Sequence, residues 1–391
     1  MKSSDFAEKG RFSVKIINAQ VVTPQGVTDN GVIITENNII TYVGKEKDAP
    51  KHDGEIYDAK GNIAGPGFVD THCHGGSKWW AHENPSGIAK HHLKGGTTSL
   101  FCSFWRNAVI DGVEEGIARV RCAMNENNPG NIRGIHMEGP YLSPRYGTLG
   151  GEEYPIDKNE YLRWMDCADG IIKYWTLDPE RKGAEEFAKE CQRRGIVLGI
   201  CYSDAPISLI EKFTEYGLKL GSHIMCATGA PKTRFGGTRE PGSDEYVLVS
   251  DDMYAEVIAD SMGAHVRPLN IQLIYKMKGY EKIIIMTDCC TGGDDLGSDV
   301  NIINGQLYGS KLTMSVACRN MKKYTNAPVW EIFKMASENP AKATGIFDHY
   351  GSLEVGKMAD IVITDDNFNI KDVVLHGNLV DFKDLAGYEN N

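Results

Sequence analysis

Two histidines separated by one residue, His72 and His74, are the sharpest chemical signal in the sequence. They follow a short apolar run, and in an extended strand residues i and i+2 face the same side. Both imidazoles can therefore reach one cation, and imidazole is a common ligand of Zn²⁺. A bare pair of this kind is also typical of two solvated histidines in a loop, so a metal site requires further ligands.

Further ligands stand at the ends of other short apolar runs. Glu138 and Asp288 supply carboxylates, and His223 supplies a third imidazole. Imidazole and carboxylate ligands together suit Zn²⁺, Fe²⁺, Co²⁺ or Mn²⁺. With His72 and His74, these residues predict a site for one or two divalent ions, with Zn²⁺ preferred.

Asp288 follows an apolar run and admits three interpretations. Its carboxylate can bind metal, accept a proton from an attacking water, or cap the helix that follows. His136 shares a strand face with Glu138, and we interpret it as a residue that supports the site or belongs to the core. Three other histidines are expected to be solvated, in a loop and a helix: His82, His91 and His92.

The runs that end in these residues alternate with amphipathic segments from about residue 65 to residue 345. Eight strands alternating with helices over this length predict an α/β fold, a (β/α)₈ TIM-type barrel. The carboxyl ends of barrel strands converge on one face, so the polar residues are expected to form one site there. A doubly wound open sheet is the alternative, but no glycine-rich phosphate loop occurs at a strand-to-helix turn.

Both ends of the chain have a different sequence pattern, in which short β-type runs are separated by turn signals that favour hairpins. In the N-terminal part these signals are Pro24-Gln25-Gly26, Asn30-Gly31 and Asp53-Gly54. Two β-rich ends around one long middle predict a small β-sandwich domain of residues 1–64 and 346–391. The barrel domain is then predicted to span residues 65–345.

The composition of the chain limits the kinds of molecule that it is expected to bind. The chain has 391 residues, a formal net charge of −11 and ten cysteines. The acidic balance and the lack of a Lys/Arg-rich run argue against binding nucleic acid or an anionic membrane. The N-terminal residues lack the apolar run of a secretory signal, and no apolar stretch has transmembrane length. We therefore expect a cytoplasmic protein with reduced thiols.

The motifs around the candidate ligands resemble the amidohydrolase superfamily, and within it the N-acetylglucosamine-6-phosphate deacetylases. The shared stretches follow the family's order along nearly the whole chain: PGFVDTHCHG at 66–75, HMEGPYLSP at 136–144, GTREPG at 237–242, MTD at 286–288 and GSLEVGKMADIVI at 351–363. The resemblance implies a metal-bearing barrel with a small β-sandwich built from both termini. This agrees with the organisation inferred from the runs and turns.

The resemblance also implies roles for individual residues. Glu138 and His223 are similar to metal ligands, Asp288 to the catalytic carboxylate, and His72 with His74 to a pair that holds a metal in some members. The remaining matches are similar to substrate-binding residues: His223, Cys226, Ala227, Arg239 and His265. Arg239 is similar to an arginine that reaches the 6-phosphate of the substrate across a dimer interface, which implies a homodimer.

Two positions depart from the family pattern. Leu149 stands where members carry a histidine that polarises the amide carbonyl, and Tyr202 stands where members carry a histidine ligand. A phenol with an ordinary pKa of about 10 is a poor ligand for a divalent ion, so Tyr202 is not expected to bind metal. Alternatively, the thiol of Cys201 or Cys226 replaces the missing imidazole, because deprotonated sulfur binds Zn²⁺ strongly.

With Tyr202 excluded, the occupied metal position is expected to be the one built by His72, His74, Glu138 and Asp288. His223 is then a donor to the substrate or a weak ligand of a second position.

The sequence thus predicts a metal-dependent amidohydrolase that deacetylates an N-acetylhexosamine 6-phosphate, with N-acetylglucosamine 6-phosphate preferred. Asp288 is expected to take the proton of the attacking water and return it to the departing amine. One alternative is an amidohydrolase for a cyclic amide or another N-acyl substrate; a carbamylated lysine would favour it, but Lys173 is misplaced in its strand. The other alternative is a degenerate, non-catalytic sugar-phosphate-binding protein, which would hold no stoichiometric metal.

Overall fold

The structure is a computed structural model that describes residues 13–105, 108, 112–146, 153–227, 236–238, 240–293, 297–383 and 385. Its N-terminal strands are β1 (Ser13–Thr23), β2 (Gly26–Glu36), β3 (Ile39–Lys45), β4 (Glu55–Asp58) and β5 (Ile63–Pro66). A short 3₁₀ helix at Glu46–Asp48 separates β3 from β4. The predicted hairpin turn at Pro24-Gln25 joins β1 to β2, which pair antiparallel.

Asn30-Gly31 was wrongly predicted to be a hairpin turn, because both residues lie inside β2. The pairing of β1 with β2 shifts register beside Gly31, so the dipeptide accommodates a bulge and the strand continues through it. The turn between β2 and β3 lies instead at Asn37 and Asn38, whose φ angles are 49° and 73°. Asparagine tolerates this left-handed conformation better than most residues do.

Eight parallel strands form the central sheet. They are β6 (Phe68–Cys73), β9 (Thr97–Phe104), β10 (Ile132–Glu138), β11 (Ile172–Leu177), β12 (Val197–Ile200), β13 (Leu218–Gly221), β14 (Tyr254–Ile258) and β15 (Ile283–Met286). Between β6 and β9, the two short strands β7 (Gly75–Gly76) and β8 (Trp79–Trp80) form a separate hairpin. The residues that follow β15 meet the end of β6. The backbone nitrogen of Asp288 donates to the carbonyl of His72 at 2.8 Å, and that of His74 donates to the carbonyl of Cys289 at 2.9 Å. These bonds close the sheet into a barrel.

One helix follows each barrel strand, as the alternating pattern predicts. The helices of this region are α1 (Pro85–Lys94), α2 (Val113–Glu126), α3 (Lys158–Ala168), α4 (Ala184–Arg193), α5 (Ile207–Thr214), α6 (Ser243–Val249), α7 (Pro268–Lys278) and α8 (Met314–Thr325). In α4 the buried residues Ala184, Phe187, Ala188 and Cys191 recur at helical spacing and pack on the barrel. The predicted terminator Gly195 follows α4 with a φ of 71°. The predicted (β/α)₈ barrel is confirmed.

The remaining elements lie outside the barrel strands and the eight helices that follow them. They are the 3₁₀ helix Tyr280–Lys282, β16 (Val300–Ile303), β17 (Gln306–Ser310), α9 (Val329–Phe333), the π-helical turn Lys334–Glu338, α10 (Asn339–Ala343), β18 (Ile361–Thr364), β19 (Ile370–Leu375) and β20 (Asn378–Leu379). The C-terminal strands β18, β19 and β20 extend the N-terminal sheet through β5, in the order β20-β19-β18-β5-β1-β2-β3. Both ends of the described chain therefore build one separate β layer, with its own apolar cluster.

The proposed domain boundaries at residues 64/65 and 345/346 stay a prediction. None of the helices within the described ranges is both long enough and apolar enough to cross a membrane.

Candidate metal centre

Three of the predicted ligands converge where the barrel closes. His72 is the penultimate residue of β6, His74 directly follows that strand, and Asp288 follows β15. The two Nε2 atoms are 3.0 Å apart. Oδ1 of Asp288 lies 3.5 Å from Nε2 of His72 and 3.4 Å from Nε2 of His74. These three ligand atoms thus form a compact triangle.

Glu138 joins this triangle to a third imidazole. It ends β10, and its Oε2 lies 3.1 Å from Nε2 of His74. Its other oxygen, Oε1, lies 3.0 Å from Nε2 of His223, which follows β13, and 3.6 Å from Nε2 of His72. The five predicted ligands therefore lie together at the carboxyl ends of four barrel strands, with the Glu138 carboxylate in the middle.

Bonds to the outer ring nitrogens orient the imidazoles. Nδ1 of His74 lies 3.2 Å from the carbonyl of Ser103, and Nδ1 of His223 lies 2.9 Å from the carbonyl of Cys226. A carbonyl only accepts, so both Nδ1 atoms carry a proton, and the Nε2 atoms are left to face the carboxylates or, in the neutral ring, to bind a cation. Nδ1 of His72 lies 3.2 Å from Oγ of Ser222. Contacts of this kind set the tautomer and raise the basicity of metal-binding histidines.

The charges of the centre are coupled. Burial disfavours the charged form of His72, but the carboxylates of Glu138 and Asp288 outweigh burial and raise its pKa to about 9. Burial also disfavours the charged form of Glu138, yet His72, His223 and His74 hold the pKa of that carboxyl well below its usual range. The centre therefore favours anionic carboxylates and attracts positive charge, which a divalent cation would supply in place of protons.

The distances fit a divalent cation. Two ligand atoms that each lie about 2.0–2.2 Å from one zinc ion at a tetrahedral angle are about 3.3–3.6 Å apart. The separations among the ligand atoms of His72, His74 and Asp288 range from 3.0 to 3.5 Å. The donor set, two imidazoles and carboxylates, is also one that first-row divalent metals accept. These residues can hold a cation with only small side-chain adjustments.

A second group of ligand atoms adjoins the first. Glu138, Cys201 and His223 offer one oxygen, one sulfur and one nitrogen atom that all lie within 4.8 Å of one another. Cys201 directly follows β12 and is fully buried. Cys226 does not join such a group among the described residues; its backbone carbonyl accepts from His223 instead. Of the two thiols considered from the sequence, the structure brings Cys201 to the centre.

Tyr202 lies beside the centre, with its ring edge-on to the imidazole of His223 at a centroid distance of 5.1 Å. Its φ is 47°, and His223 and Asp288 have φ angles of 32° and 48°. Positive φ is uncommon outside glycine and concentrates at functional sites. Three strand ends at this centre thus bend sharply into their loops. Ala227, another predicted substrate-binding residue, is exposed and also has a positive φ of 53°.

His265 lies apart from the metal ligands, in the loop after β14. Its Nδ1 lies 3.0 Å from Oδ2 of Asp260, which fixes the ring. Its Nε2 is buried and has no hydrogen-bond partner within the described part of the chain. Arg239 and Leu149, the other two residues that bear on substrate binding, lie outside the described residues.

His136 belongs to the barrel interior beneath the ligands. Its Nδ1 lies 3.0 Å from Oγ of Ser103, its Nε2 lies 2.7 Å from Oγ1 of Thr176, and its ring stacks on Tyr174. Both nitrogens are occupied, so His136 positions neighbouring groups. Lys173 is the second residue of β11 and lies at the amino end of that strand, opposite the ligand face.

The expectation that His82 and His92 are solvated was wrong, since both are buried. Helix α1 packs its inner face on the barrel and carries His92 into the interior. There Nε2 of His92 lies 2.9 Å from the carbonyl of Gly75 and 3.1 Å from Sγ of Cys73. Burial lowers the pKa of His92 to about 3, so the ring is neutral.

Sequence reasoning missed an aromatic wall beside His74. The ring of Trp105, directly after β9, lies 5.8 Å from the ring of His74. Trp80 stacks on Trp105 at 5.2 Å, and Tyr308 meets it edge-on at 5.0 Å. The Nε1 atom of Trp105 is buried and has no partner among the described residues. The signal in the sequence was the position of Trp105 at the end of a barrel strand, where the candidate ligands also lie.

A closed parallel barrel with imidazole and carboxylate ligands at the carboxyl ends of its strands defines the class of metal-dependent barrel hydrolases. Residues 264–380 match the Amidohydrolase family.

Relatives in sequence and structure narrow the comparison. N-acetylglucosamine-6-phosphate deacetylase of Bacillus subtilis is 28% identical over 390 residues, covering 94% of this chain and 97% of that protein. N-acetylgalactosamine-6-phosphate deacetylase of Escherichia coli O157:H7 is 25% identical over 338 residues, covering 81% and 87%. The crystal structure of N-acetylglucosamine-6-phosphate deacetylase from Pasteurella multocida aligns with a TM-score of 0.82 at 26% identity, covering 94% of this chain and 100% of that one.

Proposed function

We propose that this protein is a metal-dependent deacetylase of N-acetylhexosamine 6-phosphates, with N-acetylglucosamine 6-phosphate as the preferred substrate. It hydrolyses the amide to acetate and the amino sugar phosphate. The observation that carries the proposal is the convergence of His72, His74, Glu138, His223 and Asp288 on one face of the barrel. The similarity to deacetylases of two epimeric sugar phosphates supports the substrate class.

Zn²⁺ is the proposed cofactor, held by His72, His74, Glu138 and Asp288, with His223 as a further ligand. A divalent cation bound there polarises an acyl oxygen and lowers the pKa of water from 15.7 to about 7. The Nδ1–H of His223 donates to Cys226, so its Nε2 faces Glu138 and is the atom that would bind a cation in the neutral ring. That tautomer supports a ligand role for His223 over a role as a donor to the substrate.

Asp288 is the proposed general base. Its side chain is 14% exposed, whereas those of His72 and His74 are 0% and 2% exposed. The carboxylate therefore faces the open side of the centre, where a substrate and its attacking water can approach. It accepts the proton of that water and then donates it to the departing amine, which must be protonated to leave.

The sugar phosphate is proposed to bind around His265 and Arg239. The unpartnered Nε2 of His265 offers a buried polar atom to the substrate, and Asp260 fixes its ring. Arg239 supplies a charge-assisted contact to the 6-phosphate from the other subunit of a homodimer. The homodimer and a cytoplasmic location belong to the same proposal.

Acetate release and metal analysis test this function together. The purified protein should contain stoichiometric metal and release acetate from N-acetylglucosamine 6-phosphate. It should do so faster than from N-acetylgalactosamine 6-phosphate, and much faster than from unphosphorylated N-acetylglucosamine. A protein that holds no stoichiometric metal and releases no acetate from any of the three compounds would be the degenerate binding protein, and would contradict the proposal.

A further inference from the structure

The ligand groups described above share one carboxylate. Oε2 of Glu138 faces His74 at 3.1 Å, and Oε1 faces His223 at 3.0 Å. Oε2 thus faces the group of His72, His74 and Asp288. Oε1 lies between the two groups, 3.6 Å from His72 and closest to His223, which groups with Cys201. We infer that the centre holds two cations bridged by Glu138, and that the thiolate of Cys201 is a ligand of the second cation. The inference rests on the proposed function and specifies its metal site.

The geometry suits sulfur at this position. A sulfur atom about 2.3 Å and a nitrogen atom about 2.1 Å from one zinc ion at a tetrahedral angle are about 3.6 Å apart. The ligand atoms of Glu138, Cys201 and His223 lie within 4.8 Å of one another, so side-chain shifts of up to about 1 Å close them around an ion. Cys201 reaches the centre from the carboxyl end of a barrel strand, as the other ligands do, because it directly follows β12.

Burial shields this thiol from solvent, and together with Glu138 it raises the pKa of Cys201, so that the sulfur becomes a thiolate only when a cation displaces its proton. Cys201 is 0% exposed and His223 is 1% exposed, so solvent does not compete for the position from the side of β12. The ring of Tyr202 covers the edge of the His223 imidazole. The phenol therefore shields the second position while the neighbouring thiol supplies a ligand atom. Tyr202 offers no imidazole at this position, and Cys201 offers a sulfur atom beside it.

Binding of the second cation by Cys201 exchanges a proton for a metal ion. The Cys201 thiol releases its proton to solvent as the sulfur–metal bond forms, and no electron is transferred. Soft thiolate ligands select Zn²⁺ or Co²⁺ over Mg²⁺ and Mn²⁺. The second position is therefore specific for thiophilic metals, whereas the position of His72, His74 and Asp288 accepts a wider range.

Cobalt substitution tests the inference without relying on activity. The protein is freed of metal with a chelator and titrated with Co²⁺ alone. Wild type is expected to take up two equivalents, one of which adds a near-ultraviolet thiolate-to-cobalt charge-transfer band. Cys201→Ser is expected to lose the band and one equivalent while retaining the other. Cys201→Ala provides a second variant with no polar atom left in the buried site, and circular dichroism checks the fold of both.

Two further variants sharpen the outcome. Cys226→Ser, which removes a nearby thiol outside the ligand group, is the matched control and should keep the band. Tyr202→His in the Cys201→Ser background should restore the second equivalent without the band, because an imidazole returns beside the vacated position.

The results separate this inference from the proposed function. One equivalent of Co²⁺ without a band in wild type, or a band that persists in Cys201→Ser, overturns the role of Cys201. If acetate is still released from N-acetylglucosamine 6-phosphate, the proposed function stands. Two equivalents and a Cys201-dependent band without acetate release would instead support the metal site and overturn the function.

Discussion

The buried carboxylate of Asp70, in the first barrel strand, accepts a hydrogen bond from Oγ1 of Thr287 at 2.6 Å and another from its backbone nitrogen at 3.2 Å. Thr287 directly follows the eighth barrel strand and precedes Asp288. The pair therefore ties together the two strands whose ends carry His72 and Asp288. The closure of the barrel and the geometry of the metal centre depend on the same contact.

Removing the hydroxyl of Thr287 should destabilise the protein. Thr287→Val keeps the shape of the side chain but takes one donor from a fully buried carboxylate, at a cost of about 1–3 kcal/mol in the free energy of unfolding. Urea denaturation measures the change. Thr364→Val is the matched control, since Oγ1 of Thr364 is buried without a partner among the described residues. Equal effects of both changes would show that Asp70 gains nothing from Thr287.

Asp288→Asn should abolish turnover and leave the fold intact. The amide cannot accept the proton of the attacking water at neutral pH, and loss of a general base typically lowers the rate by about 10²–10⁴. Acetate release from N-acetylglucosamine 6-phosphate measures the loss, and circular dichroism checks the fold. A variant that keeps more than half of the activity would remove Asp288 from the proposed role.

The double variant His72→Ala/His74→Ala should lose the cation of the first position. The two substitutions remove both imidazoles, whose Nε2 atoms lie 3.0 Å apart. Only Asp288 and Glu138 then remain as ligands of that position. Elemental analysis of the purified variant should show at least one equivalent fewer than wild type. Retention of the full metal content would refute the assignment of these histidines.

Ser222→Ala should weaken metal binding without removing a ligand. Oγ of Ser222 contacts Nδ1 of His72 at 3.2 Å, and loss of such a supporting contact typically weakens metal affinity about 10–100-fold. Competition with a chromophoric chelator measures the affinity. Ser337→Ala, another buried serine whose hydroxyl bonds the carbonyl of Pro66, serves as the control and should leave the affinity unchanged.

Arg239→Ala should raise KM for a 6-phosphorylated substrate far more than for its unphosphorylated form. A charge-assisted contact to phosphate contributes more than a neutral one, and only the phosphorylated substrate can make it. Steady-state kinetics on the two substrates provide the comparison. Proportional effects on both would make Arg239 an ordinary loop residue.

The barrel could be predicted from the sequence because each strand is a short apolar run ended by a polar residue, and the polar ends of such strands must meet. Local patterns failed where tertiary packing decides the outcome. Asn30-Gly31 matches a hairpin turn, yet the pairing of β2 on both edges keeps it within the strand. His92 lies in a polar stretch, but the face that α1 turns to the barrel buries it.

The choice between Cys201 and Cys226 also lay beyond the sequence. Both residues follow barrel strands, and both are within three residues of a candidate ligand or its replacement. What separates them is the path of the backbone after each strand. The chain after β13 turns through positive φ at His223 and Met225, so that Cys226 presents its carbonyl to His223. The spacing of residues in the sequence does not predict such backbone turns.

The seam between the first and eighth strands has a consequence for biosynthesis. Asp70 and Thr287 are 217 residues apart, and at about 5–20 residues per second a ribosome makes them roughly 10–40 s apart. During that interval one edge of β6 is not yet paired with the chain after β15, and Asp288 has not yet joined His72 and His74. The nascent chain therefore lacks the complete first cation position until then, and a cation that needs all of these ligands would bind only after the last barrel strand has been released.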